Sequence, residues 1–271
     1  MSSSSLKFAA ICPHPPIIIP TIGNPIDLKK VSNTIEGMEK LADIFAKSLS
    51  DTILIISPHF PVDLNYFILS HSPTLFGHFY NFGDFKTELI FKNDLELVGL
   101  IEKECKKAKI PLKKAEIKEL DHGVLVPIYY LSKKYPNFKI VPLSLSFLSL
   151  EEHFKFGEAL QASIKQCNKN IGIIASGDLS HRLTFDAPAG YSPHAQKFDK
   201  EIIELLKKRD VKGILNMDQD LVEEAGECGY RSIIILLGAL SNTEWQPEIL
   251  SYEAPFGVGY LVMNFNLGEG F

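Results

Sequence analysis

Three short apolar runs constrain this chain more than anything else in it: LKFAAIC at residues 6–12, TILIIS at 52–57 and IGIIAS at 171–176. Each is too short for a typical helix. Each is nearly continuous in apolar and β-branched residues rather than alternating, which is the pattern of strands buried on both faces. Such strands need helices on both sides, and the intervening sequence supplies helical periodicity. Within Val31–Leu49, the residues Ile35, Met38, Leu41, Ala42, Phe45 and Leu49 fall on one helical face. Further helices are predicted from a cap at Asn93 to Lys107, over Val124–Tyr135, from the capping box at Ser149 to Gln166, over Ala195–Lys208 and over Ser232–Leu240. Leu64–Ser70, Thr87–Phe91, Phe138–Ser144, Ile249–Tyr252 and Val258–Phe265 read as further strands, and KKAKIPLKK at 106–114 as a solvated basic loop. With no internal repeat or low-complexity linker, the expectation is one α/β domain over residues 1–271. Its central sheet is mostly parallel or mixed and flanked by helices, and residues 1–5 are disordered.

Composition narrows the classes. A formal net charge of −5 offers no electrostatic footprint for nucleic acid or an anionic membrane. No apolar run approaches the ~20 residues that span a bilayer, and MSSSS at the start has no basic segment followed by an apolar one. Cys12, Cys105, Cys167 and Cys228 form no CxxC pair, which argues against a disulfide framework or a zinc ribbon and for a reducing, cytoplasmic setting.

Ligands of open α/β sheets bind beyond the carboxyl ends of the strands, so the residues following each buried run carry the functional reading. The first run is followed by Pro13-His14-Pro15-Pro16, the second by Pro58-His59-Phe60-Pro61, the third by Gly177-Asp178-Leu179-Ser180-His181. Proline restricts its own φ and extends the residue before it, so His14 and His59 sit on stiff backbone suited to a metal ligand. His122, in Asp121-His122-Gly123 at a predicted helix start, joins them, with Asp121 expected to orient its ring. His71, His78 and His153 lack such settings and read as structural or solvated, while His194, in YSPHAQ just before a predicted helix, reads as a cap-region residue with a lid role as the alternative. A third ligand is expected from the acidic, glycine-rich stretch EEAGECGYR at 223–231, as Glu227 or Cys228, with Glu253 as a further candidate. Pocket walls are expected from loops 77–85 and 187–193. Phe60, Tyr191 and Tyr230 read as core residues that could alternatively stack on an aromatic ring.

AICPHPP, SPHF, DHG, SGDLSH, EAGECGYRS and LSYEAPFGVGYLV, in this order over residues 8–265, resemble the class III extradiol ring-cleavage dioxygenase β-subunit (LigB-like) superfamily. The last two motifs look closest to a branch related to Memo proteins, often found joined to or near an AMMECR-type domain. The resemblance implies a ferrous iron on His14 and His59, an acid/base role for His181, and contact of His122 with substrate or oxygen. It implies a catechol-like aromatic and O₂ as reactants, and a homodimer or an AMMECR-type partner. Ring-cleaving members use a glutamate as third ligand, whereas Memo proteins use the cysteine. A His₂Cys set suits zinc or copper, and with it a redox, binding or hydrolytic role.

Overall fold

The computed structural model describes residues 6–268, so the expected disorder of residues 1–5 lies outside the described residues. In chain order the elements are β1 (Leu6–Cys12), α1 (Pro25–Lys30), α2 (Ser32–Ser48), β2 (Thr52–Ser57), β3 (Phe67–Ser70), β4 (Thr74–Phe79), β5 (Asp84–Lys92), α3 (Leu95–Lys107), β6 (Leu112–Ala115), α4 (His122–Lys134), β7 (Lys139–Ser144), α5 (Leu150–Gln166), β8 (Ile171–Ser176), α6 (Ala195–Lys208), α7 (Val211–Leu215), α8 (Gln219–Ala225), α9 (Tyr230–Ala239), β9 (Trp245–Glu253) and β10 (Tyr260–Leu267). Eight strands form one mixed sheet in the order β6-β3-β7-β2-β8-β1-β10-β9, and β4 and β5 pair as a separate ribbon. The fold is the expected single α/β domain.

Alternation along the central strands sorts side chains onto two faces. Ala9, Ile11, Leu54, Ile56, Ile173 and Ala175 pack into one cluster with residues of α3, α5, α6 and α9. Phe8, Ala10, Ile53, Ile55 and Ile174 pack into the other, with residues of α2, α4 and the β4–β5 ribbon. Each fully buried Ile or Leu on these strands contributes about 1.5–3 kcal/mol relative to exposure.

Register places the site. β8 lies between β1 and β2 and runs parallel to both, pairing Cys12 with Ser176 and Ile56 with Ala175. The three strands therefore end at one level, at Cys12, Ser57 and Ser176. Two residues past these ends stand His14, His59 and Asp178.

Some local expectations are corrected. Asp94, not Asn93, caps α3, accepting from the Leu97 amide at 3.3 Å. The Asn93 amide instead donates to the Ser70 and Ser72 carbonyls. The basic stretch at 106–114 contains β6, a strand at the sheet edge that pairs only with β3. An edge strand can carry lysines on solvated positions, which hides it among loop-like residues. The Ser149 cap of α5 stands as expected, its hydroxyl accepting from the Glu152 amide.

Candidate metal centre

The loop after β1 turns His14 into the interior, where it is 2% exposed. Its amide donates to Asp178 Oδ1 at 3.0 Å, and its Nδ1 lies 2.9 Å from Ser176 Oγ. The Ser176 hydroxyl spends its proton on the Gly123 carbonyl at 2.5 Å. It therefore accepts from His14 Nδ1–H, and that tautomer leaves the lone pair on Nε2. His14 Nε2 lies 3.1 Å from His59 Nε2 and 3.6 Å from Cys228 Sγ. Burial, then the neighbouring rings of His59, His122 and His181, hold the His14 imidazole well below its usual pKa, in the neutral form a metal ligand needs.

His59 is presented from the β2 end, with its amide donating to Ser57 Oγ at 3.2 Å. The Ser57 hydroxyl donates to Asp121 Oδ1 at 2.6 Å, and Asp121 also caps α4 by accepting from the Val124 amide. Asp121 thus anchors the start of α4 to β2, where an orienting contact to the His122 ring was expected. A Cβ at Gly123 would come within 2.3 Å of Ser57 Oγ, so only glycine lets α4 begin this close to the strand ends.

Cys228 comes from the turn before α9. Its sulfur accepts from the Asp178 amide at 3.2 Å, and the amides of Cys228 and Gly229 both donate to the Asp178 carbonyl. At this crossing a Cβ on Gly177 would lie 2.2 Å from Gly229 Cα, so the two turns meet backbone to backbone. Burial, then Asp178, push the Cys228 thiol well above its usual pKa, so an ion bound there must displace the proton.

The nitrogens of His14 and His59 and the sulfur of Cys228 lie within 4.8 Å of one another. Donors ~2.0–2.3 Å from one tetrahedral ion stand roughly 3.3–3.8 Å apart. Two imidazoles and a thiol at these separations fit a d-block ion. Glu227 does not join them. Its Oε2 accepts from the Tyr230 amide at 2.5 Å at the start of α9, where burial raises its pKa to about 7. Glu253 accepts from the amide and hydroxyl of Thr34, at 2.7 and 2.6 Å, and so serves the first turn of α2. A carboxylate near a helix N-terminus has four unpaired amides to satisfy, and both acids are used this way.

His122, at the first position of α4, lies over His59 with ring centroids 4.1 Å apart and edge-on to His14 at 5.3 Å. Burial, then His59, lower its pKa to about 4. His181 stands on the far side of Asp178, its Nε2 3.9 Å from Oδ2, and burial lowers its pKa. Phe60 and Tyr230, each 1% exposed, are core. Tyr191 is 47% exposed and lies against Phe185 at 4.3 Å. Phe82, in the expected wall loop 77–85, faces His122 at 5.3 Å. Asp178 was the residue without an assigned role, although it shares with His14 and His59 the same two-residue offset from a strand end.

No helix among the described residues is long and apolar enough to cross a membrane. The family pattern described as the catalytic LigB subunit of aromatic ring-opening dioxygenase matches residues 8–263. A Clostridium acetobutylicum protein, Protein CA_C1420, is 39% identical over 268 residues, 96% of this chain and 57% of its own length. The 3,4-dihydroxyphenylacetate 2,3-dioxygenase of Escherichia coli is 27% identical over 173 residues, 59% of this chain and 62% of that one. A MEMO1 family protein of Sulfolobus acidocaldarius is 25% identical over 156 residues, 54% of this chain and 51% of that one. The chain thus spans less than two thirds of the curated relatives it matches. The uncharacterized protein JW3007 of Escherichia coli K12 shares the fold, with a TM-score of 0.65 at 20% identity over 95% of this chain and 99% of that one. With a pattern covering nearly its whole length, the chain belongs to the LigB family of aromatic ring-opening dioxygenase catalytic subunits.

Proposed function

We propose that this chain is a metal-dependent oxidoreductase, holding one d-block ion on His14, His59 and Cys228, and that ring opening of a catechol-like aromatic by O₂ is its reaction. The observation that carries this reading is the convergence of the three donors at adjoining strand ends. The family and the dioxygenase among the relatives support the reaction class. The bound ion would supply Lewis acidity and the one-electron chemistry that O₂ requires.

The protein's own groups do the rest. Ser176 fixes the His14 tautomer so that Nε2 faces the donor cluster. His122 and Phe82 form one wall, against which an aromatic ring can stack. On this reading His181 Nε2 takes a hydroxyl proton from the substrate, which its neutral imidazole and the Asp178 carboxylate 3.9 Å away support. His122 offers a ring N–H to a substrate or oxygen atom on the His59 side.

A second reading rests on the thiolate. A His₂Cys set favours copper or zinc over the iron of a two-histidine, one-carboxylate site, and the MEMO1 relatives accompany it. On that reading the centre binds a softer ion and has a redox or binding role without ring cleavage, or a zinc-dependent hydrolytic one. Anaerobic reconstitution with ferrous iron, cuprous copper and zinc, followed by O₂ uptake on a catechol panel, separates the two. Uptake with a yellow ring-opened product in the iron form, absent in His14→Ala, is the expected result. Tight copper or zinc with no uptake would move the assignment to the second reading.

A further inference from the structure

Asp178, His181 and Cys228 form a second set of donors. Their ligand atoms also lie within 4.8 Å of one another, and the set shares Cys228 with the first. Donors opposite one another on a single ion stand at most about 4.5 Å apart. The five side chains do not all fall within 4.8 Å, so they do not form one coordination sphere.

Asp178 is the telling member. It is 5% exposed, and its Oδ1 is committed to the His14 amide. Its Oδ2 faces His181 Nε2 at 3.9 Å, too long for a hydrogen bond and close to the span of two donors on one ion. Among the described residues neither lysine nor arginine forms an ion pair with it. A buried carboxylate without a cationic partner is costly. The backbone holds the other two donors in place. The His181 amide donates to Ala225 O at 3.0 Å, and the Cys228 amide donates to Asp178 O at 3.3 Å.

We infer that Asp178, His181 and Cys228 form a second, weaker position for a divalent d-block cation, adjoining the first and sharing its thiolate. The inference rests on the reading of His14, His59 and Cys228 as the first position. Occupancy of the second position takes His181 Nε2 out of proton transfer, so ion in excess of one equivalent slows turnover.

The test is titration of the metal-free protein with Zn²⁺ and Co²⁺, with bound metal measured after equilibrium dialysis in wild type, His181→Ala and His59→Ala. The expected result is two equivalents in wild type and one in each variant. The EPR signal of the first Co²⁺ should fall as the second binds, because a shared thiolate couples the two ions. One equivalent in wild type, kept by His181→Ala and lost by His59→Ala, overturns the second position and leaves the first standing. One equivalent lost only in His181→Ala supports the Asp178 set and overturns the first reading. Two equivalents with an undiminished Co²⁺ signal put the second ion elsewhere and overturn the shared thiolate. No bound metal in any protein overturns both.

Discussion

The same central strands end in polar clusters at both edges of the sheet, and the two clusters are finished differently. At the amino edge Asp94 is 1% exposed and fully engaged. Both its oxygens take Lys169 Nζ at 2.8 Å, Oδ2 takes the Thr52 hydroxyl at 2.7 Å, and Oδ1 takes the Leu97 amide. At the carboxyl edge two imidazole nitrogens face each other at 3.1 Å beside a thiol 3.6 Å from one of them, a gathering of nitrogen and sulfur donors with no lysine or arginine among them. A saturated cluster closes a fold, whereas one with lone pairs directed at a common point is built for something that arrives later. The contrast teaches that burial of polar groups alone does not mark a site; the kinds of donor gathered at one point do.

The largest effect that tests this contrast is at the carboxyl edge. His14→Ala should weaken metal binding by on the order of a thousandfold, since it removes one of three protein donors. Metal content after dialysis against a chelator checks it, and stoichiometric metal in the variant would break the comparison. Next comes the amino edge. Asp94→Ala should cost about 2–4 kcal/mol of stability, because it removes the cap of α3 and the acceptor of the buried Thr52 hydroxyl, while Lys169 keeps Glu96 at 2.8 Å. It should leave metal affinity as it is, and a urea titration paired with a metal titration reads both.

Acid distinguishes the edges by window. His153, fully buried against Phe67, has its pKa lowered to about 4, chiefly by burial. The unfolded chain takes up that proton first, near pH 6.5, so stability falls as pH drops from about 6.5 to about 4, by about 3 kcal/mol. At Asp94 burial raises the pKa, but Lys169 and Thr52 outweigh it and the net shift is downward. Its contribution is present above the usual carboxylate pKa and is lost only as pH falls below that. His153→Leu should make the first window shallower by that amount, leave the share that His14, His59, His122 and His181 carry through their own lowered pKa values, and leave the second window as it is. An unchanged urea midpoint profile between pH 6.5 and 4 would remove His153 as its source.

The smallest effect separates neighbours. Glu227→Gln should keep the metal and cost about 1 kcal/mol through the weakened start of α9. Cys228→Ser should keep most of the stability and lose the metal. Equal metal content in both would place the third donor elsewhere.

These neighbours also show where sequence reading stops. The three central strands are legible because burial on both faces leaves continuous apolar runs, and their histidines follow from the rule that ligands gather beyond strand ends. Parallel order, with β8 between β1 and β2, is what turns three separate motifs into one site, and no local pattern states that order. The choice between Glu227 and Cys228 depends on which side of a turn faces the sheet, a matter of one residue that the Gly177–Gly229 contact decides. Glu253 is equally acidic and equally suggestive on paper, yet it is spent on α2. Asp178 was legible only through its offset, because an aspartate after a buried strand is otherwise an ordinary turn residue. β6 is obscured by its lysines.

The contact between Gly177 and Gly229 separates where the third donor sits from what that donor is. The sulfur's place is dictated by main-chain atoms of two turns that touch without side chains, so the side chain at 228 is a tip on a fixed mount. Exchanging the tip alters the hardness of the ligand, and with it the ion the centre selects, while the strand ends and the helix behind them stay where they are. A lineage carrying this mount can therefore change its metal, and the chemistry that follows from it, by a single substitution.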